Sequence, residues 1–209
     1  MRLAVRIGPA VAVPLAIAAC GSSTKSTTTI TKTATTGPGN VNQQPSKAVN
    51  GQRTFSAPGM AIHFHYPAGF HPVVLAPSGR TAGSNAKATH SAVAIGEYDL
   101  LIVSRYPNLR YPVTASNVTA VKSQFDTVIS QVLGHHVSGR VGRAGGLPAI
   151  FWPREPVPGL PVSATVMIVN TFVDRDEYEM QCQATPQHLG AVEAACQEMI
   201  ATLTTRKGP

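Results

Sequence analysis

Glu177-Tyr178-Glu179-Met180-Gln181-Cys182-Gln183 alternates polar and apolar residues without a break. A period of two is the signature of a strand with two unlike faces. Tyr178, Met180 and Cys182 lie on one face, and Glu177, Glu179, Gln181 and Gln183 on the other. The next segment has a different period. Leu189, Val192, Cys196, Met199 and Leu203 recur at three, four, three and four residues, which predicts a helix with one apolar stripe. Pro186 opens that helix, with Thr185 as its cap, and it ends near Thr205. Cys182 is on the apolar strand face and Cys196 on the apolar helix stripe, the two surfaces that meet if the helix packs on the sheet. A disulfide between them would close a loop of about 15 residues and stabilise by about 3 kcal/mol in the chain-entropy model. Two buried free thiols, or a redox pair, are the alternatives.

Upstream, Asp174-Arg175-Asp176 reads as a hairpin turn. Val162 to Val173 is continuously apolar or β-branched, as a central strand covered on both faces would be. Pro153 to Pro161 carries four prolines and reads as a loop. Leu147 to Trp152 and His136 to Gly142 read as strands joined through Arg143-Ala144-Gly145-Gly146. Thr114 to Leu133 reads as a helix with Val118, Val121, Phe125, Val128 and Val132 on its buried face, Thr114 as N-cap and Gly134 as C-cap. Ala92 to Ser104 reads as one strand bent at Gly96, and residues 76–91 as a long loop. Met60, Ile62, Phe64 and Tyr66 alternate with Ala61, His63 and His65, a strand ended by Pro67-Ala68-Gly69; Phe70 to Leu75 reads as a second short strand.

Two of these stretches resemble a known family. Ile62-His63-Phe64-His65-Tyr66-Pro67-Ala68-Gly69-Phe70 is similar to a strand closing in Tyr-Pro-x-Gly-Trp/Phe. Tyr178-Glu179-Met180-Gln181-Cys182, with Ala195-Cys196-Gln197-Glu198-Met199-Ile200, resembles the strand–Cys–helix–Cys ending of the same proteins. They have the PsbP-like fold, that of subunit P of the photosystem II oxygen-evolving complex, which includes actinobacterial lipoproteins of the LpqN type. The resemblance spans roughly residues 55 to 205. It implies an α+β domain, an antiparallel β-sheet flanked by helices in a PsbP-like α/β/α sandwich, and binding or scaffolding rather than catalysis. It transfers no functional residue.

The N-terminus supplies the location. Arg2 and Arg6 make a short positive start, and Leu3 to Ala19 is otherwise uncharged, broken by Pro9 and Pro14, with Cys20 behind small residues. That is a secretory signal layout, too short and interrupted for a comfortable membrane span. Ile17-Ala18-Ala19-Cys20 resembles the bacterial lipobox, which implies diacylglycerol on the Cys20 thiol, cleavage before Cys20 and acylation (palmitate or a similar chain) of the new amine. Residues 1–19 are then a lipoprotein signal peptide, 20–53 a disordered Ser/Thr-rich tether about 30 Å in root-mean-square length, and 54–206 the folded domain. Export to the extracytoplasmic face of the cell membrane makes a disulfide chemically permitted.

The 209-residue chain is 43% hydrophobic and 13% charged, enough apolar surface for one core. Its net charge is +7, or +5 without Arg2 and Arg6. The basic residues are scattered without interleaved aromatics, which argues against nucleic acid as a partner. The abundance of alanine, proline, valine and glycine with sparse lysine suggests a GC-rich genome such as an actinobacterium's.

Catalytic signatures are absent: no Gly-x-Ser-x-Gly, no His-Glu-x-x-His, no phosphate-binding glycine loop. A triad assembled from distant loops remains open. His63 and His65 project to one strand face and form a weak half of a metal site; no cofactor is expected. His135-His136 suit a helix C-terminus. Asp174-Arg175-Asp176-Glu177 lacks the glycine and spacing of a calcium loop. Trp152, the single tryptophan, beside Arg154 and the proline-rich loop, is the candidate recognition surface. The expected function is that of a lipid-anchored, non-catalytic binding or scaffolding module. It is held to membrane lipid by Cys20 and faces an envelope protein or glycan of unknown identity. An envelope hydrolase and an apolar-ligand carrier are the alternatives.

Overall fold

The computed structural model describes residues 51–75, 88–160 and 162–206. Cys20, the signal and the tether lie outside them. Ten strands and two helices are formed among the described residues. They are β1 (Gln52–Ser56), β2 (Ile62–Pro67), β3 (His71–Val73), β4 (Thr89–Ala94), β5 (Leu100–Tyr106), α1 (Val118–Leu133), β6 (Arg140–Ala144), β7 (Leu147–Pro156), β8 (Thr165–Val173), β9 (Asp176–Ala184), α2 (Leu189–Thr202) and β10 (Thr204–Thr205). Seven strands pair antiparallel in the order β3-β4-β5-β9-β8-β7-β6, and β1-β2-β10 form a second, smaller sheet. The class is α+β, an antiparallel sheet with one helix on each face.

The layers follow from the side-chain alternation. One face of the large sheet presents Val93, Leu101, Val103, Val169, Met180 and Cys182 to α2 and to the Phe55, Ile62, Phe64 and Tyr66 side of the small sheet. The other presents Ile150, Trp152, Ile168 and Phe172 to Val118, Val121, Ile129 and Leu133 of α1. β8 and β9 run through the middle, and their pairing register is continuous from Thr165↔Ala184 to Val173↔Asp176. A two-residue turn at Asp174-Arg175 closes them. Cys182 and Cys196 are joined by a disulfide with Cα atoms 6.0 Å apart, which ties β9 to α2. Tyr178 Oη accepts a hydrogen bond from the Ala61 N–H at 2.9 Å, and Arg105 donates to Asp176 Oδ2 at 2.7 Å and to the Gly59 carbonyl at 2.8 Å. These bonds fasten the loop before β2 to the large sheet.

Gly145 and Gly146, both with positive φ, make the two-residue β6–β7 turn. At Gly145 a Cβ would lie 1.7 Å from the Leu203 carbonyl oxygen, so only glycine lets the turn sit under the end of α2.

Several expectations are corrected. Ala92 to Ser104 is not one bent strand but the hairpin β4–β5, paired from Thr89↔Arg105 to Ala94↔Leu100. Gly96-Glu97-Tyr98-Asp99 is its turn, and Asp99 anchors it, accepting from the Thr185 N–H, Thr185 Oγ1 and His188 Nδ1. β1 starts at Gln52, so Gln52 and Arg53 belong to the domain rather than the tether. β7 continues through Pro153 as far as Pro156, with a register shift between Trp152 and Glu155 that absorbs the proline's missing N–H.

Helix α1 starts at Val118 with Asn117 at its cap, not Thr114. Asn117 turns its Oδ1 back to the Thr114 N–H at 2.7 Å, which makes residues 114–117 a separate turn. Its buried row is Val118, Val121, Ile129 and Leu133, with Phe125 partly buried, while Val128 and Val132 are 49% and 60% exposed. The valine row and the Ile/Leu row diverge after Phe125, and the sheet takes the larger side chains, which bury more area. Gly134 caps α1 at φ 77°, with its N–H on the Ser130 carbonyl. Likewise α2 starts at Leu189, with Pro186 in the turn before it.

Candidate functional site

Trp152 is not a recognition surface. It is 1% exposed, packed under α1, with Nε1 donating to Asp126 Oδ1 at 2.9 Å. Gly139 makes room for it, since a Cβ there would lie 2.8 Å from the indole. Burial alone would raise the Asp126 carboxyl. Hydrogen bonds from Lys122 Nζ, the Gly139 N–H and Trp152 outweigh it and hold Asp126 below its ordinary value. The sequence cue failed because a lone tryptophan beside prolines looks the same at a core edge as at a rim. Arg154 is also committed internally. It donates to the Thr165 and Cys182 carbonyls at 3.3 and 3.1 Å and pairs with Glu193 at 3.3 Å.

His63 and His65 share the outer face of β2, opposite Ser56 and Thr54 of β1. No group of three His, Cys, Asp or Glu side chains converges on a metal position among the described residues. His135 lies at the C-terminal end of α1 and pairs with Glu155 at 3.2 Å. A groove of about 560 Å³ along α1 is lined by Ser123, Asp126, Ser130, His135 and His136. It is open to solvent.

The more unusual chemistry lies on the α1 side of the sheet, where β9 turns its polar alternate residues. A row runs straight across four strands: His90 on β4 opposite Ser104 on β5, Ser104 opposite Glu179 on β9, and Glu179 opposite Asn170 on β8. His90 Nδ1 and Ser104 Oγ are 2.8 Å apart. Asn170 Nδ2 donates to Glu177 Oε1 at 2.5 Å, and Gln181 Nε2 donates to Glu179 Oε1 at 2.6 Å. Neither glutamate has a lysine, arginine or histidine partner among the described residues. Burial first, and the neighbouring Glu179 charge second, push Glu177 up to about 8. Burial raises Glu179 as well, against the hydrogen bond from Gln181. Burial lowers His90. Asn170 is 1% exposed, and its Oδ1 has no hydrogen-bond partner. Glutamates in a strand this central normally carry a cation.

α1 flanks this row. Lys122, Asp126 and Ser130 turn toward Ser138, Gly139 and Val137 on the β6 side. Val128 and Val132, on the other flank of a 100° per residue helix, therefore turn toward the β9 side. The result is a polar floor with an exposed apolar edge.

The Ser104–His90 contact has the hydrogen bond that a serine nucleophile needs from its base. Ser104 is 3% exposed in the middle of β5, with both neighbouring strands in register. The backbone of Ser104 is paired in the ladder with both neighbouring strands.

No protein-family model matches the chain, and no curated protein matches it. Among solved structures, a Bacteroides thetaiotaomicron VPI-5482 protein is similar with TM-score 0.48 and 14% identity over 74% of this chain, which spans about half (48%) of that one. The solution structure of cyanobacterial PsbP (CyanoP) from Synechocystis sp. PCC 6803 is similar with TM-score 0.49 and 12% identity, over 76% of this chain and 94% of that one.

Proposed function

We propose that the protein is a PsbP-like, LpqN-type envelope lipoprotein, acylated at Cys20 and tethered to the extracytoplasmic face of the cell membrane, whose domain is a non-catalytic binding module. The lipobox supports the anchor. One observation carries the binding role: two glutamates without a cationic partner among the described residues, beside a buried asparagine oxygen without a donor among them, on the face of the large sheet turned away from the small sheet. β1, where the described residues begin, lies in that small sheet, so it and the polar row are on opposite sides of the large sheet.

Metabolic labelling with a radioactive fatty acid tests the anchor. The normal chain is expected in the membrane fraction with label, and Cys20→Ala in the soluble fraction without it. Label on Cys20→Ala would overturn the lipobox reading. The hydrolase alternative rests on the Ser104–His90 contact. A serine-reactive fluorophosphonate separates the two: no labelling above that of Ser104→Ala is expected, and stoichiometric labelling of Ser104 would replace the module with an enzyme.

A further inference from the structure

We infer that the α1-side face of β9 binds an alkylammonium group, its nitrogen held by the Glu177 and Glu179 carboxylates and the Asn170 amide oxygen, its carbon chain lying against Val128 and Val132. This rests on the binding-module reading and names its ligand class.

Three observations converge. Glu177 and Glu179 are two apart on one strand and share a face, and each already receives one amide hydrogen bond that fixes its carboxyl (Asn170 Nδ2 at 2.5 Å, Gln181 Nε2 at 2.6 Å). They have no cationic partner among the described residues, in a chain whose net charge is +7. Independently, the Asn170 side chain is buried against Glu177 and opposite Glu179, with Oδ1 unsatisfied. Leaving a buried acceptor unmade costs on the order of 1–3 kcal/mol, a cost that a ligand donor removes.

The acceptor set selects the ligand. An ammonium has three N–H donors and no acceptor, which matches two carboxylates and one amide oxygen. Calcium takes six to eight oxygens, more than this set supplies. Val128 and Val132, 49% and 60% exposed at i,i+4 on the flank of α1 turned away from β6, offer a hydrocarbon surface that a hydrated metal ion would not use. Phe125, against Phe172 at 5.3 Å, closes the base of that flank.

The test is calorimetric titration of the full chain, in non-ionic detergent micelles at pH 8.5, with 1,4-diaminobutane. Saturable one-to-one binding is expected, with Kd on the order of 1 mM or tighter. Glu177→Gln and Glu179→Gln, near-isosteric changes, should each weaken it at least about tenfold, and 1-butanol should give no heat. Amide chemical-shift changes in the unaltered protein should centre on residues 177–181 and 128–132, a readout that needs no variant. No saturable heat, unchanged affinity in the double variant, displacement by equimolar calcium, or shifts centred on Asp126 instead would each overturn the inference. A negative titration beside intact fatty-acid labelling removes the ammonium ligand alone. Labelling of Ser104 by the fluorophosphonate removes the binding-module reading itself.

Discussion

Side chains one residue apart on β9 stand in two different solvents. Toward α2, Tyr178, Met180 and Cys182 are fully buried in a continuous apolar cluster with Val192, Cys196 and Met199. Toward α1, Glu177, Glu179 and Gln181 are half-buried, and the apolar surface splits into two patches on either side of them: Ile150, Trp152, Ile168 and Phe172 under the helix, and Ala92, Ala94, Leu100 and Ile102 at the β3–β4–β5 end. The first face has a dry core and a covalent staple. The second has carboxyls that solvent would hold better than the protein does. A strand can support both because adjacent side chains share backbone bonds but no environment. Stability is concentrated on the α2 side, which leaves the α1 side of β9 free to carry groups that do not favour folding.

If that division holds, substitutions on the two faces should differ in size and in kind. The largest effect is expected for Met180→Ala, which opens a cavity at a position 0% exposed. A loss of about 3 kcal/mol in urea unfolding is expected, and a loss under about 1 kcal/mol would mean that the α2 face is loosely packed. Comparable but slightly smaller is loss of the staple. Cys182→Ser with Cys196→Ser removes a crosslink between residues 14 apart in the chain and should cost about 2–3 kcal/mol. Thiol titration of the denatured protein should find no free thiol at these positions before reduction.

The α1 face should respond to pH instead. Glu177 titrates at about 8 in the folded protein against an ordinary 4.5, so the folded state retains a proton that the unfolded chain releases. The contribution of this group is therefore least unfavourable below pH 4.5, and stability falls as pH rises through about 8. Glu177→Gln should flatten that fall between pH 5 and 8.5 by about 1–2 kcal/mol, discounted for the carboxyl's partial contact with solvent. Parallel curves for the two proteins would mean a well-solvated carboxyl and would erase the contrast between the faces. The smallest effect belongs to Val132→Ser, on the exposed flank of α1, which should change stability by no more than about 0.5 kcal/mol.

How much of this was legible depends on the range of the signal. Period two located β2 and β9 with the right faces, and the 3-4-3-4 stripe located α2, so Cys182 and Cys196 fell on surfaces that meet. Trp152 misled because burial is a property of what covers a residue, and α1 covers it from 26 residues upstream at Asp126. The β4–β5 turn was missed because Gly96 alone does not distinguish a bend from a reversal. What marks the reversal is Asp99, whose partners Thr185 and His188 lie 86 and 89 residues away. The Glu177–Glu179 pair is visible in the sequence only as the polar face of a strand. Its signal lies in Ser104 and Asn170 across the register, which no local pattern contains.

The sequence by itself determined the α+β class, the two-faced character of β9 and the meeting of its cysteines with α2, because periodicity is a local consequence of backbone geometry. Tertiary structure decided which polar residues lost their water. Pairing β4, β5, β9 and β8 in one register lines up His90, Ser104, Glu179 and Asn170 in a single row, and laying α1 over only part of that face leaves the carboxyls half-buried and without a cation among the described residues. Desolvation depends on neighbours distant in the chain, so it arises only when the layers close.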